Sequence, residues 1–263
     1  MTKIFKVLTA GIFILLLGNN RIYAQWGVGQ EIGIVAGPAA FYTDYGVRYS
    51  LETNFGNTGA GIGLVHYLNF AYSADCNCYT IDSYFNDHFK IRSEVNYLET
   101  ELNHFGEIAN KQNTGGEQLR AMIGSIKIFE IGAHLEYFPL SIRDYTAFAY
   151  PISPFISLGA NFVTFEPYAY STLGPLEENL FHSFKVGTGE MGGVDLDSGS
   201  NWSLVFGTGV RYKLGVSSDL VANLQWKYYF TDWLDGLNHD QPQNKFNDMV
   251  FWLSVGYIYY LNF

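Results

Sequence analysis

The sequence predicts an all-β chain, an antiparallel up-and-down transmembrane β-barrel of about eight strands preceded by a cleaved signal peptide. Three observations predict it. Eight stretches alternate apolar and polar side chains with a period of two. An export-type leader is followed by no apolar run long enough for a membrane helix. The final stretch, Asp248 to Phe263, alternates through its last residue and ends on an aromatic.

Composition agrees with this class. Aromatic residues make up 17% of the 263 residues and charged residues only 15%, with 28 glycines. Many strands with one face toward lipid and Tyr or Trp at the rims need this mixture. Lys3 and Lys6 precede an apolar core from Val7 to Gly18, and Ile22-Tyr23-Ala24 offers a cleavage site before Gln25. Residues 1–24 therefore read as a signal peptide, with an apolar core too short to span a bilayer. Residues 25–263 read as one barrel domain. Lys3, Lys6 and Arg21 lie in the leader, so 12 basic and 25 acidic residues remain and the net charge is −13. That balance argues against a nucleic-acid partner and suits a surface that meets lipopolysaccharide through divalent cations.

The strands follow in order. The first covers about residues 27–36, with Val28, Ile32 and Ile34 on one face, and ends at Gly37-Pro38. The second, 61–72, sets Ile62, Leu64, Leu68 and Phe70 against Gly61, Gly63 and Asn69. The third, 86–102, alternates Phe89, Ile91, Val95 and Tyr97 with Lys90, Arg92, Glu94 and Asn96. Four successive polar positions on one strand face need water or mutual pairing. The fourth, 122–138, repeats the pattern, with Phe129, Ile131, Leu135 and Tyr137 opposite Glu130, Gly132, His134 and Glu136. The fifth runs from 152 to about 165, before a long loop through 201. The sixth, 202–214, places Arg211 and Lys213 opposite Trp202, Phe206 and Tyr212. A tight turn at 215–219 leads to the seventh, 220–230, with Asn223, Gln225 and Lys227 opposite Leu224, Trp226 and Tyr228. The terminal strand closes the series.

Alternation alone does not say which face is inside, because a soluble lipocalin-like barrel shows the same pattern with apolar residues inward. Strand length, even strand number and the alternation of connection length decide for the membrane class. Connections are expected to be long after strands one, three, five and seven, and generally shorter after two, four and six. Eight strands leave a lumen that side chains fill. Lys90, Arg92, Glu94, Glu130, His134, Glu136, Arg211 and Lys213 are the expected lumen set, with both charge signs available for pairing.

Ser254, Gly256, Tyr259, Leu261 and Phe263 form a polar–Gly–hydrophobic pattern that resembles the insertion signal of bacterial outer-membrane barrels. Together with Leu68-Asn-Phe-Ala-Tyr-Ser, Asp75-Cys-Asn-Cys-Tyr-Thr, Phe85-Asn-Asp-His-Phe-Lys-Ile-Arg and Leu135-Glu-Tyr-Phe-Pro-Leu-Ser-Ile-Arg-Asp144, the mature chain resembles a group of outer-membrane β-barrel proteins from Bacteroidota. More loosely it is similar to the small-barrel class of OmpA, OmpW and OmpX. The resemblance implies an outer-membrane location, a barrel fold and recognition of the last strand by the barrel-insertion machinery. It implies no reaction, and no site residues carry over.

Candidate chemistry is sparse. Cys76 and Cys78, the chain's two cysteines, are read as a local bridge that stiffens one turn, since a zinc site needs about four ligands. Asp195-Leu-Asp197-Ser-Gly199 is a fragment of a calcium loop without its terminal bidentate acid, and reads as a solvated loop. His66 falls in the apolar register of the second strand, with Leu68 rather than a serine two residues away. His134 and Glu136 share the lumen face. An enzyme acting on lipid A or phospholipid is therefore a second alternative, a narrow transport barrel is the first, and no cofactor is expected. Aromatic residues in the external loops, Phe41, Tyr42, Tyr45 and Tyr49, then Tyr168 and Tyr170, then Trp233, are read as girdle or as anchors for a protein partner. The leading expectation is a structural or binding barrel, an accessory to a larger assembly for secretion or protein insertion.

Overall fold

The computed structural model describes residues 28–47, 50–71, 84–181, 193–238 and 246–261, and in it eight antiparallel strands close into one barrel. They are β1 (Gly29–Tyr42), β2 (Thr58–Asn69), β3 (Phe89–Asn103), β4 (Met122–Tyr137), β5 (Ile152–Ser171), β6 (Gly199–Gly215), β7 (Ser218–Tyr229) and β8 (Met249–Tyr260). Each pairs with its sequence neighbour, and β8 closes on β1 from Glu31↔Tyr260 to Tyr42↔Met249. Among the described residues, five short helices lie in the connections: α1 (Leu51–Gly56), α2 (Tyr84–His88), α3 (Thr114–Ala121), α4 (Ile142–Thr146) and α5 (Leu176–Asn179).

The period-two pattern becomes an inside and an outside. On β4, Phe129, Ile131 and Leu135 are exposed, while Glu130, His134 and Glu136 are buried. The same inversion of soluble-protein logic holds on β3, where Lys90, Arg92, Glu94 and Asn96 point inward. An apolar exterior around a polar interior is stable only where the exterior meets hydrocarbon, and a sheet spanning lipid must close so that no backbone edge is unpaired.

Aromatic rings border the exterior at both rims. Near the long-loop rim, Tyr42 packs on Phe251 (5.0 Å), Phe162 on Trp202 (5.5 Å) and Tyr228 on Phe230 (5.6 Å). At the rim holding the chain termini of the barrel, Phe89 packs on Tyr137 (5.1 Å) and on Phe85 (4.8 Å). Along β6, Trp202 and Tyr212 mark the two ends. About ten residues at ~3.4 Å each, tilted by ~40°, span about 26 Å, the height of a lipid-facing belt.

Several sequence expectations are corrected. Gly37-Pro38 does not end β1, which continues to Tyr42. Pro38 has no N–H to donate, but it faces outward, and the indole of Trp252 donates to the Gly37 carbonyl (3.2 Å) beside it. Gly37 is glycine of necessity, because a Cβ there would collide with the Leu253 carbonyl. β5 does not end near 165 but continues to Ser171, so Tyr168 and Tyr170 stand on a strand and not in a loop. Phe41 is also no loop anchor, because it faces the lumen, fully buried. The connection after β2 (residues 70–88), which holds α2, is not shorter than those after β1 and β3, and the one after β4 (138–151), which holds α4, is only slightly shorter. These helices meet beneath the barrel, where Arg143 N donates to Asp87 Oδ1 (3.0 Å) and Phe138 N to the His88 carbonyl (2.8 Å). Ile142 and Tyr145 of α4 are buried there and close the termini rim.

Residues 1–24, Cys76, Cys78, Tyr49 and Phe263 lie outside the described residues.

Candidate functional site

All eight sequence-predicted lumen residues face the interior and are at least nine-tenths buried. They form three tiers. Nearest the termini rim, Glu31 accepts from Lys90 Nζ (2.6 Å) and Arg211 Nη1 (2.5 Å), and Asp219 lies within 3.4 Å of Lys213 Nζ. Tyr260 donates to Asp219 Oδ2 (2.6 Å) and accepts from Lys213 (2.9 Å). In the middle, Arg92 pairs with Glu94 (2.8 Å) and Glu136 (3.6 Å), and Glu136 also faces Arg211 (3.5 Å). Higher up, Glu130 accepts from Lys227, Tyr229 (2.7 Å) and Asn161 (3.3 Å). Gln225 and Asn161 donate to Glu94 (both 3.1 Å) and tie the upper tiers together.

Three members were not in the expected set: Glu31, Asp219 and Lys227. With them the lumen holds five cations (Lys90, Arg92, Arg211, Lys213, Lys227) against five carboxylates (Glu31, Glu94, Glu130, Glu136, Asp219). Buried charges persist only when compensated, and among the described residues the numbers match, with Arg92 and Glu136 compensated by ion pairing alone and the others also by hydrogen bonds. Ring faces complete the packing, with the Arg211 guanidinium 4.1 Å from the Tyr67 centroid and Lys227 Nζ 4.8 Å from that of Trp252. Glycines on neighbouring strands admit the larger groups. A Cβ at Gly61 would strike Trp252, one at Gly63 the Asn96 side chain, and one at Gly159 the His134 ring.

Above the charged tiers the lumen turns apolar, through Ala39, Phe41, Leu98, Leu102, Ile128 and Val250. The loops then fold over it. Tyr45, offered by sequence as an exposed anchor, is buried in this cap and stacks on His104 (4.4 Å). The carboxylate of Asp235, fully buried, joins two loops: Oδ2 accepts from Asp44 N and Oδ1 from Leu237 N (both 2.9 Å). A third loop is stitched on by the Val194–Leu237 bridge and by Asp195 N donating to the Gly236 carbonyl (2.9 Å). Gly236, at φ +80°, makes the left-handed turn this requires. Burial pushes the Asp235 carboxyl up to about 7, with the neighbouring Asp232 adding to the rise. Asp195 Oδ1 accepts from Asp197 N (3.0 Å), so the calcium-loop fragment closes its own turn.

The two candidate histidines lie on opposite faces of the wall, His134 in the lumen and His66 outside. His134 Nε2 lies 2.8 Å from Asn161 Oδ1, deep in the lumen. Glu136, on the same lumen face, pairs with Arg92 and Arg211. His66 is on the outer wall, in register with Ser93 and 3.4 Å from Gln30 Oε1. Strand pairing thus supplies a neighbouring serine that spacing within one strand did not reveal. The backbone N–H groups of paired strands are occupied by the ladder, so this wall offers no ready oxyanion donors. A groove of about 470 Å³ lined by Val210, Tyr212, Leu220, Ala222 and Val255 also lies on the lipid-facing wall.

On β8, Ser254 and Gly256 face the lumen, and Tyr259 and Leu261 face outward. Gly256 is closely apposed to β1, where a Cβ would meet the Ile34 carbonyl.

The closed sheet, the apolar belt between two aromatic borders and the charge-filled lumen define a transmembrane β-barrel of the outer-membrane type. Solved structures with similar folds include the attachment invasion locus protein Ail of Yersinia pestis (14% identity, TM-score 0.43, covering 89% of this chain and 99% of that one). Neisserial surface protein A matches at 14% identity and TM-score 0.44, over 89% of this chain and 97% of that one. A major outer membrane protein of Thermus thermophilus matches at 14% and 0.45, over 88% and 99%. None of these likenesses bears on what this chain binds. The sequence matches no protein-family model and no curated protein.

Proposed function

We propose that the protein is a closed outer-membrane barrel whose work is structural or binding, carried out at its loop rim, as an accessory barrel in a larger outer-membrane assembly for secretion or protein insertion. The observation that carries this reading is the filled lumen, in which ten paired charges lie between two capped ends. A lumen of this width packed with side chains offers no water-filled channel. The rigid strands instead present long loops, the usual place for recognition on a fixed scaffold. The C-terminal strand, with Ser254, Gly256, Tyr259, Leu261 and Phe263, is the part the insertion machinery would read.

The purified protein is expected to run faster on a gel unheated than boiled, as a closed sheet that resists detergent does. Identical migration in both samples would rule out a stable closed barrel. Reconstituted in planar bilayers it should give no ion conductance, and mild-detergent capture from its native membrane should retain stoichiometric protein partners. Conductance steps would overturn the closed-barrel reading, and a barrel that purifies alone would overturn the accessory role.

One strip of the wall favours the narrow-transport alternative. Ser153, Ser157, Ser203 and Asn223 face the lumen with side-chain polar atoms that have no partner among the described residues. Such groups call for water, and a water file is the least a solute path needs. The same conductance measurement separates the two readings. The lipid-modifying alternative rests on His66 and Ser93 alone, and unchanged lipid A and phospholipid masses on deletion would remove it.

A further inference from the structure

We propose that α1 and the adjacent Phe105 form a membrane-interface anchor, an apolar face outside the barrel that beds into the lipid leaflet at the loop rim. Helix α1 is short, yet it is held firmly. Ser50 caps it by accepting from Thr53 N, and Thr53 Oγ1 and Asn54 Nδ2 bond back to the Val47 and Ser50 carbonyls. At its far end Asn57 and Asn103 exchange bonds, with Asn103 N donating to Asn57 Oδ1 (2.8 Å) and Asn57 Nδ2 donating to the Asn103 carbonyl (3.2 Å). Thr53, Asn54 and Asn57 are buried by these contacts. The opposite face is thereby fixed outward, and it carries Leu51 and Phe55, 64% and 57% exposed. A fixed apolar face in a loop that could have turned it inward calls for an apolar neighbour.

That neighbour is identified by continuity with the lipid-facing belt. Phe55 packs edge-on against Tyr42 (6.5 Å), and Tyr42 packs against Phe251 (5.0 Å), an outward residue of β8. The ring row therefore runs unbroken from the belt, across the aromatic border, to α1. Phe105, itself exposed, lies over Gly56, where any Cβ would strike its ring, and widens the face on the side of the next loop. Glu52 is also exposed in the first turn, where a carboxylate can reach headgroups and water while its neighbours lie in the acyl boundary. An amphipathic element with aromatic and leucine side chains beside a transmembrane segment is the arrangement that binds this boundary.

The test is spin-label depth measurement on the full chain in phosphatidylcholine–phosphatidylglycerol vesicles, with Cys76→Ser and Cys78→Ser as the background. Labels are placed singly at Phe55→Cys and Leu51→Cys, with Leu253→Cys as the lipid-facing reference and Lys111→Cys as the aqueous one. The expected result is oxygen-over-nickel-chelate accessibility at positions 55 and 51 on the lipid side, between the two references and nearer Leu253→Cys. Values matching Lys111→Cys at both positions overturn the proposal. Accessibility that is aqueous in these vesicles but protected in native membranes assigns the face to a protein partner, which also overturns it. The gel-mobility shift checks each variant's fold, so a misfolded label site is recognised and the other site carries the measurement.

Discussion

Glu130→Leu is expected to destabilise the barrel by about 3–5 kcal/mol, the cost of stranding a buried charge. Glu130 is fully buried and takes hydrogen bonds from Lys227, Tyr229, Asn161 and Asn96. Removing it leaves the Lys227 ammonium without its carboxylate partner and the Tyr229 hydroxyl without its acceptor, while Asn161 and Asn96 keep only their bonds to Glu94. The loss should appear as a lower urea midpoint for the fast-migrating gel band in reconstituted vesicles. Replacing both partners, as Glu130→Leu with Lys227→Met, should recover much of that loss, because two apolar groups of similar size need no pairing. The double-mutant cycle then isolates a coupling that single substitutions overstate. A cost for Glu130→Leu below about 1 kcal/mol, the range of an exposed pair, would show that this tier is hydrated rather than dry, and the closed-lumen reading would lose its main support.

This network was partly legible before the fold was known, for a reason visible in β3 and β4. Lys90, Arg92 and Glu94 alternate with apolar residues on one strand, and Glu130, His134 and Glu136 do the same on the next. Period two converts such runs directly into a face. Glu31 and Asp219 lacked that signal. Glu31 is a lone acid between glycines and isoleucines near the start of β1, and Asp219 stands beside the β6–β7 turn, where an acid ordinarily meets water. Their roles depend on which strands meet across the lumen, as when Arg211 of β6 reaches Glu31 of β1. A local pattern holds no information on contacts made across a closed sheet. β1 runs past the end expected at Gly37-Pro38, and β5, which also contains Pro167, runs past the end expected near 165. A proline withholds only one ladder bond from a strand, and the pairing of its neighbours on both sides carries β1 and β5 past it. The buried position of Tyr45 was likewise unreadable, since it follows from loops folding over the apolar upper lumen.

The cap built on Asp235 should loosen as pH rises from about 4 to about 7. In the docked cap the carboxyl has its proton affinity raised to about 7 by burial, with the nearby Asp232 adding to the rise, while in an opened, hydrated cap it returns toward 3.8. The surrounding ionisable groups are Asp44 and Tyr45 from the β1–β2 loop, Asp232 and Asp248 from its own loop, and His104 stacked on Tyr45. Tyr45 stays neutral, since burial and the charges of Asp235 and Asp44 hold its hydroxyl well above the ordinary tyrosine range. The docked state therefore binds the proton more tightly than the open one. Stability is complete below the open-state value and falls as pH rises through the window between the two. Its loss levels off above about 7 at something on the order of 4 kcal/mol, by proton linkage. Hydrogen exchange of the amides at Asp44, Asp195 and Leu237 reports the opening, because these bonds tie three loops together. Asp235→Asn removes the titration and one of the two backbone acceptors, so it should shift opening by a constant amount while abolishing the slope. Taking the ratio of wild-type to variant exchange at each pH cancels the intrinsic chemistry of exchange. A ratio that stays flat from about pH 4 to about pH 8, a span covering both proton affinities, would mean that Asp235 is hydrated in the native membrane and that the loops are held by their apolar contacts alone. A ratio that climbs through the window makes the rim that faces any partner tightest in acid, and a partner that needs the loops released would bind more strongly above neutrality.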